Sequence, residues 1–235
     1  MITQSSNISP ETEKELRQFC YICQYIYGRW ITSYALFEEL PNYIKNETDF
    51  LSMEEFLNTP YGSCLVRLRE ALNQDWILGI AKLHDPAGKG QNSNLCIDYI
   101  VKQRFWARKE RVKIKDLVSQ MYPFFEKIKP ARDKVLSHND LLFYKENKIF
   151  EIFSNDCDDE EYFKNLAKLC DKIWNKMLNK DAFNRKQFFE FSRSGIVNDP
   201  LCPANEARAL RDLIVEGLKK KKFKAIFLKM YLYPL

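Results

Sequence analysis

The segment "SPETEKELRQFCYICQYIYGRWITSYALFEELP", residues 9–41, decides the fold class, because its apolar residues recur with the period of an α-helix. Ser9 suits the N-cap and Pro10 the first helical position, where a missing N–H costs nothing. The apolar side chains at helical spacing are Leu16, Phe19, Cys20, Cys23, Ile26, Tyr27, Trp30, Ile31, Tyr34 and Phe37. The pattern predicts one long helix that ends before Pro41.

Helical signals continue along the rest of the chain. Ser52 and Glu55 have the spacing of a capping box at the start of a short helix. Pro123 and Pro130 are expected to interrupt the region between 104 and 140, with a kinked or fresh helical start at Pro130. Further helices are predicted over 60–83, over 95–104 with Asn94 as its cap, over 158–179 and over 203–222.

The composition favours the same fold class. Only 7 glycines occur in 235 residues, which argues against a turn-rich β-sandwich or a glycine-punctuated α/β enzyme. We therefore expect an all-α, up-down bundle of long antiparallel helices. We expect a disordered N-terminus over 1–8, a helical domain over 9–180 and a C-terminal helical extension over 181–235. The stretch 141–153 fits either a hairpin or a helix–loop.

Charge and cysteine content limit the surroundings of the protein. A net charge of +5 permits nucleic-acid binding without requiring it. The N-terminus lacks the features of a signal peptide, and no run of roughly 18 apolar residues predicts a membrane helix. The seven cysteines are therefore expected to be reduced, in a cytoplasmic protein. Cys20 and Cys23 form a C-x-x-C inside a helical pattern, which favours a packed core pair over a metal or redox site; no metal or cofactor is expected.

One charged segment, "KPARDKVLSHND" (129–140), carries candidate chemistry because it contains Arg132 and His138. Six residues of α-helix turn about 600°, so the two side chains would lie about 120° apart and about 9 Å apart along the axis. A single helix does not close such a pair on one small substrate, whereas a second copy related by a two-fold axis can. The alternative is a solvated helix end, terminated by Asn139 and Asp140.

The segment "RDKVLSHND" (132–140) resembles the signature of the HEPN superfamily of small all-α domains, in which an arginine and a polar residue precede a histidine. The surroundings are similar to one bacterial branch, the abortive-infection AbiU-like proteins. These have a long aromatic N-terminal helix and then a segment like "ILGIAKLHDPAGKGQNSN" (77–94) before the motif. The likeness covers about residues 10–180.

The resemblance implies a metal-independent endoribonuclease that acts as a homodimer, with two Arg/His pairs lining one cleft. By that likeness, His138 is the general acid or base and Arg132 binds the phosphate. Asp133 takes a position where asparagine is more usual, which places a carboxylate beside the arginine. Asp133 then either weakens the hold on a polyanion or orients Arg132 or the partner's histidine.

Several basic and polar residues are candidates for RNA contact. Phe105 and Trp106 interleave with the basic run and suit base stacking, but a solvated basic segment with a buried Trp-Phe anchor fits equally well. His84, in "KLHDP", is expected to cap or pack the helix end. We assign RNA contact to Lys134, Asn139, Arg104, Arg108, Lys109 and Arg111.

Three functions remain open at this point. The first is a ribonuclease that acts as a bacterial toxin or antiphage effector, with RNA as substrate and a cognate antitoxin or defence-system protein as partner. The second is a catalytically silent HEPN domain that binds RNA, a nucleotide or a protein. The third is a plain helical interaction protein in which the motif is accidental.

Overall fold

The computed structural model describes residues 8–37, 40, 44, 52–89, 93–130, 132–133, 158–177 and 203–219. The all-α class is confirmed for these residues, none of which lies in a strand. None of their helices combines the length and the apolar character needed to cross a bilayer. The helices are α1 (Pro10–Ala35), α2 (Met53–Leu57), α3 (Pro60–Leu83), α4 (Ile97–Lys102), α5 (Arg108–Pro130), α6 (Asp158–Lys176) and α7 (Pro203–Lys219).

Three other predictions concern parts of the chain outside the described residues. They are the disordered N-terminus over 1–8, of which residues 1–7 lie there, the stretch 141–153 and the boundary between 180 and 181. Those predictions stay predictions.

Two of the three predicted helix caps are present, those at Ser9 and Ser52. The Ser9 hydroxyl accepts a hydrogen bond from the backbone N–H of Thr12 at 3.2 Å, at the start of α1. At α2, the Ser52 hydroxyl accepts from the Glu55 N–H at 3.1 Å, and the Glu55 carboxylate accepts from the Ser52 N–H at 3.2 Å. Each cap satisfies a helical N–H that has no partner within its own helix.

The prediction that Asn94 caps the next helix is wrong. The N-cap of α4 is Cys96, which makes no side-chain capping bond. The side chain of Asn94 instead donates to the Pro86 carbonyl at 2.9 Å, and its backbone N–H donates to the Ala87 carbonyl at 2.6 Å. Asn94 therefore closes the loop after α3, because a short polar side chain bonds as readily to nearby backbone in a turn as to a helix end.

The expected interruption at Pro123 is also wrong. Helix α5 runs without a break from Arg108 to Pro130, although a proline inside a helix costs about 3 kcal/mol. Pro123 itself is exposed, whereas the next two residues, Phe124 and Phe125, are buried. Burial of this apolar face offsets the lost backbone hydrogen bond, since each large buried side chain contributes about 1.5–3 kcal/mol.

The described chain forms two compact units. The first consists of Met1–Tyr27 and Gln74–Ser192, and the second of Gly28–Asn73 and Arg193–Leu235. The division falls within α1 and within α3. Arg132 and Asp133 belong to the first unit.

In the first unit, α5 packs antiparallel against α6. Glu110 near the start of α5 pairs with Lys176 at the end of α6 at 2.8 Å, and Lys127 near the end of α5 pairs with Asp158 at the start of α6 at 3.5 Å. The buried side chains of α5 are Ile114, Leu117, Met121, Phe124, Phe125 and Ile128. The two ion pairs at opposite ends require this register and direction.

The first part of α1 packs against the same α6, also antiparallel. The Arg17 guanidinium lies over the Trp174 ring at 5.2 Å, and the Tyr27 ring meets the Phe163 ring edge-on at 5.6 Å. Residues later in α1 therefore contact residues earlier in α6, so the two helices run in opposite directions. The first unit is built around α6 as its central helix.

The second unit has its own core. The side chains of this core come from the end of α1, from α2, from the start of α3 and from α7. At its edge, the Arg69 guanidinium lies over the Phe37 ring, 4.6 Å from its centroid. The buried side chains include Trp30, Ile31, Leu36, Phe56, Leu65, Leu72 and Ala207. Gly62 lets α3 approach the end of α2, because a Cβ there would lie 2.2 Å from the Phe56 carbonyl oxygen.

Gly62→Ala should destabilise the protein, although glycine-to-alanine changes inside helices usually add about 1 kcal/mol. The new methyl would overlap backbone atoms that cannot rotate away, so we expect a loss of about 1–3 kcal/mol in the free energy of unfolding. Urea denaturation measures this loss. Ser63→Ala, in the same turn, is the matched control and should change stability little; equal stability of both variants would contradict the close approach.

Candidate functional site

Arg132 lies directly beyond α5, in a wider π-type turn with Asp133. Its Nε donates to Oδ1 of Asp133 at 2.6 Å, and its Nη1 donates to Oδ1 of Asp85 at 3.2 Å. The arginine side chain is 25% exposed. Two carboxylates from different parts of the chain thus orient the guanidinium at a partly open position.

The charges of the three described side chains at Arg132 do not cancel. One guanidinium faces the two carboxylates of Asp85 and Asp133, so this Arg132 cluster of three side chains carries a net charge of −1. The hydrogen bond to Asp133, with a further contribution from Asp85, raises the pKa of Arg132 above its ordinary value. An incoming phosphate must therefore compete with carboxylates for the arginine.

Asp85 is the site residue that sequence reasoning missed. It follows α3 in the loop that Asn94 closes, and it is far from Arg132 in the chain. The available signal was the "HDP" at 84–86, inside the segment that supports the family resemblance. Pairing an aspartate with an arginine across such a sequence distance requires the tertiary structure.

His138, the other residue of the predicted catalytic pair, lies outside the described residues. Lys134 and Asn139, the two predicted RNA contacts on either side of it, also lie outside them. Among the described residues, the structure brings Asp133 and Asp85 to Arg132. The assignment of His138 stays a prediction.

His84, the second histidine of the chain, packs among aromatic rings just beyond α3. Its ring stacks on Phe125 with centroids 4.4 Å apart, and its Nε2 lies 3.2 Å from the Tyr162 hydroxyl. Burial lowers the pKa of His84 to about 4, so the imidazole is neutral at physiological pH. The packing interpretation of His84 agrees with these contacts.

The basic run before and within α5 contains both exposed and engaged side chains. Arg104, Arg108 and Lys109 are exposed. Arg111 is partly buried, and its Nη2 donates to the Gln103 carbonyl at 3.2 Å. Arg111 therefore supports the turn before α5, whereas the other three are accessible to a ligand.

Of the two aromatic residues beside this run, Phe105 and Trp106, the buried Trp106 is a structural anchor. Trp106 is 4% exposed, and its indole N–H donates to the Ile100 carbonyl at 2.8 Å. Phe105 is only partly buried and lies 4.6 Å from the Trp106 ring. Of the two interpretations left open above, the buried anchor describes Trp106, since a base cannot stack on a covered ring.

The C-x-x-C cysteines lie in the core of the first unit. Cys20 and Cys23 are buried and meet Cys170 of α6 through thiol hydrogen bonds. The hydrogen bond with Cys170 and burial raise the pKa of Cys20, and burial raises that of Cys23, so these thiols stay protonated. In the described ranges, no group of three or more His, Cys, Asp and Glu side chains is arranged to hold a metal ion.

Comparison with known proteins assigns no family. No protein-family model matches the sequence, and no curated protein or solved structure gives a significant match.

The partly buried, neutral imidazole of His84 predicts a specific pH dependence. The unfolded chain binds a proton near pH 6.5 and the folded chain only near pH 4, so the free energy of unfolding should fall as pH decreases through this window. His84→Phe keeps a ring against Phe125 but removes the titrating group. When the pH is lowered from 7 to 4.5, the free energy of unfolding should therefore fall by about 2–3 kcal/mol less in the variant than in the wild type.

Denaturant unfolding at several pH values measures this difference. Comparing the two proteins at each pH removes the common contribution of carboxylates that titrate in the same range. Parallel stability curves for both would show that His84 is not held neutral.

Proposed function

We propose that the protein is a metal-independent endoribonuclease of the HEPN type. It acts in the cytoplasm as a homodimer, as a toxin or antiphage effector regulated by an antitoxin or a defence-system partner. Arg132 and His138 from both chains line one RNA cleft. The proposal rests on the motif at 132–138 and on the placement of its arginine.

The observation that carries the proposal is the orientation of Arg132. A solvated helix end would leave this arginine without fixed partners, whereas Asp85 and Asp133 hold it at a partly exposed position. An oriented, accessible guanidinium is suited to a phosphate, because its planar fork matches two phosphate oxygens.

The reaction uses the nucleophile that RNA itself carries. A neutral His138 removes the proton from a ribose 2′-OH, and the 2′-oxygen forms a bond to the adjacent phosphorus. Arg132 stabilises the charge on the equatorial phosphate oxygens. The bond to the 5′-oxygen breaks, and that oxygen takes a proton from a protonated histidine, which leaves a 2′,3′-cyclic phosphate and a 5′-hydroxyl.

A homodimer supplies the second histidine that this scheme needs. One imidazole starts the reaction as base and the other as acid, so two copies of the motif complete a site that one copy leaves incomplete.

A second candidate is a silent HEPN domain that binds RNA, a nucleotide or a protein. The observation that favours it is the net charge of −1 at the Arg132 cluster. If phosphate does not displace either carboxylate, the arginine only joins α5 to the loop after α3. A cleavage assay separates the two candidates.

His138→Ala should reduce RNA cleavage by roughly 10²–10⁴-fold, the usual contribution of a general acid or base. Arg132→Ala should reduce it comparably, and Arg132→Lys should restore little activity because a point charge lacks the fork. The assay uses single-stranded RNA with a chelator present throughout. Arg67→Ala, at an exposed arginine in the other unit, is the matched control and should cleave like the wild type.

Three outcomes of this assay are informative. Equal cleavage by the wild type and His138→Ala would contradict the catalytic role, and loss of wild-type cleavage on chelation would contradict metal independence. An inactive wild type that still binds RNA would favour the silent domain.

The exposed basic residues should set the salt dependence of RNA binding. Arg108→Gln combined with Lys109→Gln should reduce the slope of log K against log salt by about 0.7 for each charge that contacts a phosphate of single-stranded RNA. Binding is measured with inactive His138→Ala. The control variant, Lys14→Gln combined with Lys164→Gln, removes the same charge elsewhere in the first unit and should leave the slope unchanged. Equal slopes in the two double variants would show that Arg108 and Lys109 do not contact RNA phosphates.

A further inference from the structure

An open cleft of about 500 Å³ lies in the first unit beside the candidate site. His84 beyond α3, helix α4 and one face of α5 line it. Most of its wall area is apolar and comes from side chains such as Ile97, Val101 and Val118. The carboxylate of Asp98 also lines it and is held by the Ala87 N–H and the Lys102 ammonium. The volume of this cleft falls within the range of small-molecule sites in proteins.

The hydrogen bond of His84 determines which of its nitrogens the cleft can use. Tyr162 is fully buried, and among the described residues Nε2 of His84 is the one acceptor within reach of its hydroxyl. A buried hydroxyl that does not donate loses a hydrogen bond, so Tyr162 donates and Nε2 accepts. The neutral imidazole then carries its proton on Nδ1, for which the described residues provide no partner.

The face of α5 that lines the cleft presents three different groups in a row. Lys115, Ser119 and Tyr122 are exposed and stand at i, i+4 and i+7, on one side of the helix. The Tyr122 side chain is 49% exposed. Along about 10 Å of helix, the cleft thus offers a cation, a hydroxyl and an aromatic ring.

We propose that this cleft is a base-binding subsite for one RNA nucleobase that presents a carbonyl oxygen next to a ring N–H, which is uracil or guanine. The base stacks on Tyr122, its carbonyl oxygen accepts a hydrogen bond from Nδ1–H of His84, and Lys115 pairs with a flanking phosphate. The assignment deepens the proposed ribonuclease function and rests on it, since it supplies that reaction with a choice of base.

The position of His84 connects the subsite to Arg132. His84 immediately precedes Asp85, whose carboxylate holds the Arg132 guanidinium. A base bound against His84 therefore belongs to a nucleotide near the phosphate that Arg132 would bind. Stacking on an exposed ring beside a cation is how proteins hold single-stranded RNA, and a hydrogen-bond donor adds base selection.

The selection follows from the hydrogen-bonding edge of the base. Uracil and guanine present a carbonyl oxygen next to a ring N–H, whereas adenine lacks the carbonyl. The Ser119 hydroxyl donates to the Asp116 carbonyl at 2.8 Å, so its oxygen remains able to accept from a ring N–H. A site built to donate to a carbonyl discriminates against a base that leaves the donor unpaired.

Calorimetric titration of the full chain with uridine, guanosine and adenosine 3′-monophosphates tests the subsite without requiring cleavage. Uridine or guanosine monophosphate should bind more tightly than adenosine monophosphate. Tyr122→Ala should weaken binding about tenfold, the usual loss when a stacking ring is removed. Tyr21→Ala, at an equally exposed tyrosine of α1 in the same unit, is the matched control and should bind like the wild type.

The hydrogen bond from His84 needs a pair of variants that both fold. Tyr162→Phe removes the hydroxyl and keeps the imidazole, and the double variant His84→Phe/Tyr162→Phe keeps both rings and removes the donor. Thermal melting monitored by circular dichroism establishes that each is folded. The preference for uridine or guanosine over adenosine should decrease in the first variant, which no longer fixes the His84 proton on Nδ1, and disappear in the second, which has no imidazole.

The subsite and the ribonuclease can fail separately. Absence of nucleotide binding by the wild type, or equal binding by wild type and Tyr122→Ala, overturns the subsite even if RNA is cleaved. Selective nucleotide binding that Tyr122→Ala weakens supports the subsite even if no RNA is cleaved, and that result overturns only the nuclease.

Discussion

The antiparallel packing of α5 on α6 is the constraint on which the rest of the first unit depends. Ion pairs at both ends, Glu110 with Lys176 and Lys127 with Asp158, match the direction of the two helices, and the apolar face of α5 is buried along its length. Exposed ion pairs contribute little by themselves, so the buried face supplies most of the stability. The turn that carries Arg132 begins where this packed helix ends.

That arrangement explains why both proposed parts of the site occur together. Arg132 follows the C-terminal end of α5 and there pairs with Asp85. The exposed face of the same helix lines the cleft beside His84. Phe125 couples the two, because it is buried in α5 and stacks on His84. A rigid helix is a better support for such groups than a loop, since packing holds its side chains in place.

The carboxylates on Arg132 have opposite consequences for the proposed reaction. They orient the guanidinium, which reduces the entropy lost when it binds a phosphate. They also leave the cluster at a net charge of −1, which opposes a polyanion. The basic side chains of Arg104, Arg108 and Lys109 are exposed and suited to compensate at longer range.

Local sequence rules predicted the helices well where they agreed with burial. The caps at Ser9 and Ser52 are present because a hydroxyl beside free N–H groups needs no distant partner. The rules failed at Asn94, whose amide closes a loop, and at Pro123, where α5 continues. At Asn94, hydrogen bonds to the backbone of its own loop outweighed the capping preference, and at Pro123 burial of the adjacent apolar face outweighed the cost of proline.

The sequence by itself determined the all-α class and the extent of most helices, and it indicated Arg132 as a candidate phosphate-binding residue. These follow from the period of the apolar residues, from capping chemistry and from one short motif, all of which are local. Only the tertiary structure decided that Asp85 holds Arg132, that Trp106 is a buried anchor and that His84 lines a cleft with a neutral ring. Those facts depend on which distant segments meet, because burial and hydrogen-bond partners are set by packing and not by the order of residues.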